Sequence, residues 1–317
     1  MNPPRRPSPV ARALLALVVG PLLCGLLLAG GITTAWLALG NPSPAGGAVW
    51  MEVTRLGGAR HLVGPQQPFF VLVVGTGARS DDPSQSPDDP GLADAIHVVG
   101  INPALKAATM IDIPRDTEGP TGNKMNSYIV AGGDNGLRAE ADAVSAVIGV
   151  PITFVIRANF PNFQQMVDEI GGIDINIPTA MDDDFSGAHF APGPAHLNGE
   201  QALQFSRDRH SFSNGDLSRT SNQGLLILAA LQTLQQRDTS AGATVRLIAT
   251  LGRHVKLDGI GITDLFDVGR LALTFDVANI KNVVLPVGPG GGSNLVKSGG
   301  AASLLADFAD DGVLQTH

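Results

Sequence analysis

Two short apolar runs, Ile96–Ile101 and Ala108–Ile113, lie almost back to back in the chain. Both are rich in β-branched residues and have the length of buried strands. Asn102-Pro103 marks a turn between them. Strands of this kind need cover on both faces, which commits the surrounding chain to layers packed on a sheet. The second run ends in Ile113-Pro114-Arg115-Asp116-Thr117. The proline fixes where the strand stops, and an arginine and an aspartate follow at once. Charged groups just past the end of a buried strand are where α/β sheets place their sites. An ordinary strand-end ion pair is the plainer reading of the same residues.

The rest of the chain supplies the layers. Pro68–Gly75 reads as another buried strand, and Val49–Thr54 as an edge strand. Leu137, Ala141, Val144 and Ile148 recur at helical spacing, and Gly149-Val150-Pro151 stops that helix. Ile152–Arg157 and Ile173–Ile177 read as strands, with a helix face of Phe163, Met166, Val167 and Ile170 between them. Asn198 and Gln201 form a capping-box pattern that opens a short helix over 199–206. Helices are predicted over Leu225–Leu234, Thr263–Leu273 and Ser303–Ala309, and a late strand over Val283–Val287. Strands alternating with helices predict an α/β fold, a sheet covered by helices on both faces. The segment 80–91 (SDDPSQSPDDPG) is a polar, proline-rich loop. Asp182-Asp183-Asp184 reads as a solvated loop, His97 as a packing residue in its strand, and His189 and His196 lack a compact metal spacing.

The amino terminus has a different character. Residues 1–12 carry Arg5, Arg6 and Arg12 and no acid, and no charged residue occurs from Ala13 to Met51. Ala13–Leu39 is long enough to cross a hydrocarbon core of about 30 Å as a helix. Arginines on its leading side predict residues 1–12 in the cytoplasm and the bulk of the chain outside. The competing reading is a cleaved signal peptide, with Ala38-Leu39-Gly40 as the small-residue site. Residues 40–66 read as a linker plus the edge strand, leaving 67–317 as the extracytoplasmic domain. The formal net charge of -8 does not suggest a nucleic-acid surface. The one cysteine, Cys24, excludes an intrachain disulfide framework.

A second stretch, Leu197–Gln223 (LNGEQALQFSRDRHSFSNGDLSRTSNQ), adds further arginines in a regular arrangement. With Ala93-Asp94, IPRDT at 113–117, Lys124-Met125-Asn126 and RANFPNFQQMVDEIGGIDINIP at 157–178, it resembles the LytR-CpsA-Psr family of bacterial cell-envelope proteins. Order and spacing both fit over roughly 70–317. The resemblance implies a mixed central sheet with helices around it and a lipid-binding groove between sheet and helices. It implies transfer of a glycopolymer from a polyprenyl pyrophosphate carrier to peptidoglycan, at a membrane and with magnesium. Arg79, Arg115, Arg207, Arg209, Arg219 and Gln223 match the positions that hold the pyrophosphate, a task suited to planar, permanently charged donors. Arg207 and Arg209 are two apart and share a side if the chain there is extended. Arg219 and Gln223 share a helix face. Asp94 matches the metal-binding aspartate. Arg115, Asp116 and Asp94 form the expected catalytic group, with Asp116 either holding Arg115 or acting as the base. Lys124 and Asn126 are further candidates.

The chain also departs from the pattern. Gly77 stands where the family has an aspartate, Leu92 where it has an arginine, and Asn222 where arginine is common. These losses motivate an alternative: a relative that binds the polyprenyl carrier without turning it over. Transcriptional control, suggested by the family's older naming, finds no basic recognition helix in this chain.

Overall fold

The computed structural model describes residues 51–56, 67–77, 91–236, 255–260, 271 and 275–315. All of them fall within one unit, Ala48–His317. The expected membrane segment Ala13–Leu39, Arg79, the acidic loop and most of Thr263–Leu273 lie outside the described residues. Among the described residues no helix is long and apolar enough to cross a membrane.

The two runs that open the sequence argument form β3 (Ala93–Asn102) and β4 (Ala107–Asp112), an antiparallel pair. Pro68–Gly75 forms β2 (Phe69–Thr76), antiparallel to β3 on its other side. With β1 (Met51–Arg55), β5 (Phe154–Asn159), β10 (Val255–Asp258) and β11 (Ile280–Val284), they make a seven-stranded sheet in the order β10-β1-β5-β2-β3-β4-β11. Parallel and antiparallel neighbours alternate irregularly, so the sheet is mixed. One expectation needs correction. β1 is not an edge strand but lies between β10 and β5, so the sheet includes residues assigned from the sequence to the linker region. Three smaller pairs lie outside the sheet: β6 (Ile173–Ile177) with β9 (Gly193–Leu197), β7 (Met181–Asp183) with β8 (Ala188–Phe190), and β12 (Val287–Pro289) with β13 (Leu295–Lys297).

Alternation along the strands sorts the apolar side chains to two faces. Phe70, Leu72, Val74, Ile96, Val98 and Ile111 pack against α1 (Gly136–Ile148) and the carboxy-terminal helix α5 (Ala301–Asp311). Each such buried aliphatic contributes about 1.5–3 kcal/mol relative to exposure. α1 ends where predicted, at Gly149, whose φ of 85° suits glycine. The opposite face meets α2 (Phe160–Glu169) and α4 (Asp216–Gln236) less closely, and an apolar cavity of about 260 Å³ remains between them. Val73, Ile156, Phe163, Met166, Leu226 and Ile227 are among its lining residues. α3 (Gly199–Arg207) opens with the expected reciprocal cap: Gln201 N–H donates to Asn198 Oδ1 at 2.9 Å, and Asn198 N–H to Gln201 Oε1 at 3.1 Å.

Candidate functional site

The sheet register brings the two charged residues of the central hairpin together. His97 pairs with Asp112 across β3 and β4, and Ile113 N–H still bonds to Ile96 O at 2.9 Å. Continuing that antiparallel register by three residues in each direction sets Arg115 opposite Asp94. Their side chains form a close ion pair. Beneath the pair, β3 and β4 are held by a fully buried bond of 2.7 Å between His97 Nδ1 and Asp112 Oδ1. Burial pushes the Asp112 carboxyl up, and His97 and then Asn282 oppose that shift.

β2 and β5 end at the same edge of the sheet, and both feed the site. A register shift at Gly75/Thr76 lets Gly77 N–H reach Leu92 O at 3.0 Å, which lays Gly77 beside Asp94. A Cβ on Gly77 would run into the Asp94 carboxylate. Asp94 thus occupies the space that the missing side chain leaves. β5 passes directly into α2, whose Asn159 cap accepts from Asn162 N–H at 2.9 Å. Phe160, Pro161 and Gln164 of that helix form one wall of a cavity of about 650 Å³.

The helices supply the other arginines. Arg207 is the last residue of α3, and Asp208 after it is extended (φ -59°, ψ 126°), so that Arg207 and Arg209 line the same cavity. Among the described residues neither guanidinium has a carboxylate partner; Arg207 instead lies over the Phe160 ring, 5.7 Å from its centroid. Arg219 and Gln223 share the cavity-facing side of α4, which begins nine residues earlier than its apolar spacing predicts. Asp216 lies 2.6 Å from Arg219 Nη2 and 3.6 Å from Arg115 Nε. The order Asp94, Arg115, Asp216, Arg219 therefore alternates in charge. Gln223 is buried and donates to Asp94 O at 3.3 Å and Ser206 O at 3.2 Å, tying α4 to β3 and α3.

Three buried guanidinium nitrogens, Arg115 Nε and Arg219 Nε and Nη2, have no hydrogen-bond partner, since the nearby Asp216 is close but misaligned. Buried donors without acceptors are costly, at about 1–3 kcal/mol each. An anion with several oxygens would satisfy them. Burial works to lower the pKa of Arg115, but Asp94, Asp216 and Asp116 outweigh it and hold the value above the ordinary one. For Arg219 burial dominates, and the pKa falls despite Asp216, with Arg115 and Arg209 adding repulsion.

Asp94, Arg115, Arg207, Arg209, Arg219 and Gln223 thus meet in one cavity. Asp116 does not: Arg115 and Asp116 are the central residues of a turn closed by Thr117 N–H to Pro114 O at 2.9 Å, and Asp116 is paired with Lys124 at 2.8 Å outside the cavity lining. Asn126 is buried behind the cavity, where its N–H donates to Arg115 O at 3.0 Å. Arg79 lies outside the described residues. Asp183 and His210 also line the cavity, and neither was among the predicted site residues. The triplet Asp182-Asp183-Asp184 is only partly a solvated loop. β7 turns Asp183 inward, 2% exposed, between two exposed aspartates. The signal was the strand alternation Met181-Asp182-Asp183, which three consecutive aspartates disguise.

The LytR_cpsA_psr family profile matches residues 54–303. The chain belongs to the LytR_cpsA_psr family. The polyisoprenyl-teichoic acid–peptidoglycan teichoic acid transferase TagU of Bacillus licheniformis is 33% identical over 162 residues, 50% of each chain. This family member therefore spans about half the length of that relative in the match. The crystal structure of Bacillus subtilis TagV is similar with a TM-score of 0.62 at 24% identity, over 77% of this chain and 95% of that one. A LytR-Csp2A-Psr enzyme from Actinomyces oris gives 0.61 at 22% identity, over 78% and 94%. Both share the mixed α/β fold.

Proposed function

We propose that this LytR_cpsA_psr protein is a membrane-anchored transferase that moves a glycopolymer from a polyprenyl pyrophosphate carrier to peptidoglycan. The observation that carries the reading is the junction of two unlike cavities. The arginine-lined cavity and the apolar one share Phe160, Leu203 and Gln223 in their walls. An amphiphile with an anionic head and a hydrocarbon tail has the chemistry of that pair. The transferase name of the TagU relative points to the same reaction class.

In this reading Arg115 and Arg219 hold the pyrophosphate from within, and Arg207 and Arg209 hold it from the rim. Their N–H groups face charge that grows on the phosphate oxygens as the carrier leaves, in a site where the donors are already fixed. The apolar cavity takes the first part of the prenyl chain. Magnesium fits on one condition. Asp94 is the only carboxylate at the matched metal position, Gly77 adds none, and the described residues contain no cluster of three metal-binding side chains. Magnesium takes one or two carboxylates and completes its shell with water and substrate phosphates. Asp94 would hold it together with the pyrophosphate, and the ion would neutralise phosphate charge.

The anchor Ala13–Leu39 and the outward-facing domain belong to this proposal on the charge asymmetry of the sequence. A reporter fused after His317 should be active only outside the cytoplasm. The reaction is tested with the full chain in detergent micelles, a carrier-linked glycopolymer and peptidoglycan. Polymer should appear on peptidoglycan with release of polyprenyl phosphate, dependent on magnesium. A second reading, carrier binding without turnover, draws on the engagement of Asp94 by Arg115 and the lack of a carboxylate at Gly77. It predicts retained carrier affinity with no release of polyprenyl phosphate.

A further inference from the structure

The arginines account for the donor's charge, not for the proton that an attacking hydroxyl must lose. Asp116 is turned away and bound to Lys124. Asp94 is engaged by Arg115, and Asp216 lies against Arg115 and Arg219. The cavity-lining imidazole of His210 stands outside the arginine ion pairs and has no hydrogen bond at Nε2 among the described residues.

The imidazole is held in a definite way. Asp183 Oδ1 accepts from Phe185 N–H at 2.9 Å and lies 3.0 Å from His210 Nδ1. Its Oδ2 takes the backbone N–H groups of Arg209 at 3.2 Å and His210 at 3.4 Å. Burial works to raise the Asp183 pKa, but the N–H of Arg209, the His210 ring and the N–H of Phe185 together draw it well below the usual carboxylate range. In the neutral ring, a carboxylate accepting at Nδ1 places the proton there and leaves the Nε2 lone pair free. The ring also lies on Phe185, with centroids 4.6 Å apart at 40°. Phe185 is 83% exposed at the cavity rim, an apolar face of the kind on which a sugar ring stacks.

We propose that His210, oriented by Asp183, is the general base that takes the proton of the acceptor hydroxyl. The inference rests on the transfer reading above. In the step, the acceptor oxygen forms a bond to the phosphorus that carries the glycopolymer. The bridging P–O bond to the polyprenyl phosphate breaks, and its electron pair leaves with that phosphate. The hydroxyl proton passes to His210 Nε2 and then to solvent. Asp183 faces the ring at Nδ1, and Arg115, Arg207, Arg209, Arg219 and Asp94 line the same cavity, while Asp182 and Asp184 pair with His189 instead.

The test uses the full chain in micelles with carrier-linked glycopolymer and peptidoglycan, under single-turnover conditions across pH. His210→Asn keeps an N–H for Asp183 and removes the base. It should slow transfer by about 10²–10⁴-fold, abolish the fall in rate at low pH and leave carrier affinity within about threefold. His210→Ala should regain part of its rate with added imidazole. Asp183→Asn should lower the rate in the same direction and is read beside His210→Asn. A wild type that transfers polymer while His210→Asn keeps its rate overturns this proposal alone. So does a loss of carrier affinity in His210→Asn that matches its loss of rate. A wild type that binds carrier but never releases polyprenyl phosphate overturns the transfer reading and this one together.

Discussion

Glu140 lies in α1 with no solvent exposure, and its Oε2 accepts the N–H of Ile129 at 3.0 Å. Its Oε1 has no partner. Burial pushes the pKa from 4.5 up to about 8, against the pull of the Ile129 bond. Ile129 sits in the helical turn Tyr128–Ala131, directly after the segment that bonds to Arg115 O, so this carboxyl stands under the backing of the site. The sign of the effect on stability follows from proton counts. Between about pH 4.5 and 8 the folded chain keeps a proton that the unfolded chain has released, so stability falls as pH rises through that window. The slope is about 1.4 kcal/mol per pH unit, and the whole window amounts to about 5 kcal/mol as an order of magnitude. Glu140→Gln keeps an oxygen for Ile129 and cannot ionise. Its amide N–H₂ replaces the unpartnered oxygen at a roughly pH-independent cost of about 1–3 kcal/mol. Urea unfolding of both chains, followed by circular dichroism at several pH values, isolates the term because every other titration cancels in the difference. The variant should gain on the wild type by about 3–4 kcal/mol between pH 5 and pH 8. A difference that stays constant over that range would refute the reasoning.

Arg115→Ala should lower transfer by about 10²–10³-fold with an unchanged circular dichroism spectrum, because in the proposed reading the side chain would hold phosphate and it is not part of the apolar core; unchanged turnover would remove Arg115 from the mechanism. Gly77→Asp should raise magnesium affinity in calorimetric titrations with carrier present, since the new Cβ forces Asp94 off its present position and adds a second carboxylate; an unchanged titration would place the metal elsewhere. Inorganic pyrophosphate should raise the melting temperature of the wild type in proportion to its binding free energy. In Arg219→Met that shift should largely vanish, and equal stabilisation of both chains would show that the buried arginine does not bind the anion.

How much of this was legible in the sequence depended on whether the deciding contacts were local. β3 and β4 were legible because their apolar runs and the turn between them are contiguous, and the Asp94–Arg115 pair follows from that one register. The cap of α3 was legible for the same reason. β1 was not. MEVTR looks like an edge strand because it carries charge, yet Glu52 is answered across the sheet by Arg157 at 2.6 Å and Lys256 at 2.8 Å. Both partners lie more than a hundred residues away in sequence, and only the fold makes a charged strand acceptable inside the sheet. The first turns of α4 carry no apolar period, because Arg219, Thr220, Asn222 and Gln223 are buried there, and only the four-residue spacing of Arg219 and Gln223 pointed to a helix before Leu225. Asp183 was missed because its partners are mostly backbone N–H groups, which no residue pattern displays.

The placement of the arginines bears on why the site uses arginine throughout. The chain as a whole is negative, at -8, yet the cavity mouth carries Arg207 and Arg209 without carboxylate partners among the described residues. Local field, not net charge, steers an anion to a cleft. Deeper in, Asp94 pairs with Arg115, and Asp216 lies close to both Arg115 and Arg219. Arg115 gives Nη1 to Asp94 and leaves Nε without a hydrogen-bond partner, so its planar fork still has N–H groups for an anion. A lysine ammonium would make a single point contact and would have to leave one partner to meet the ligand. The carboxylates therefore do not neutralise the site to no purpose. In the proposed reading they offset the repulsion between the two arginines before the carrier binds, so that little rearrangement is left when it does.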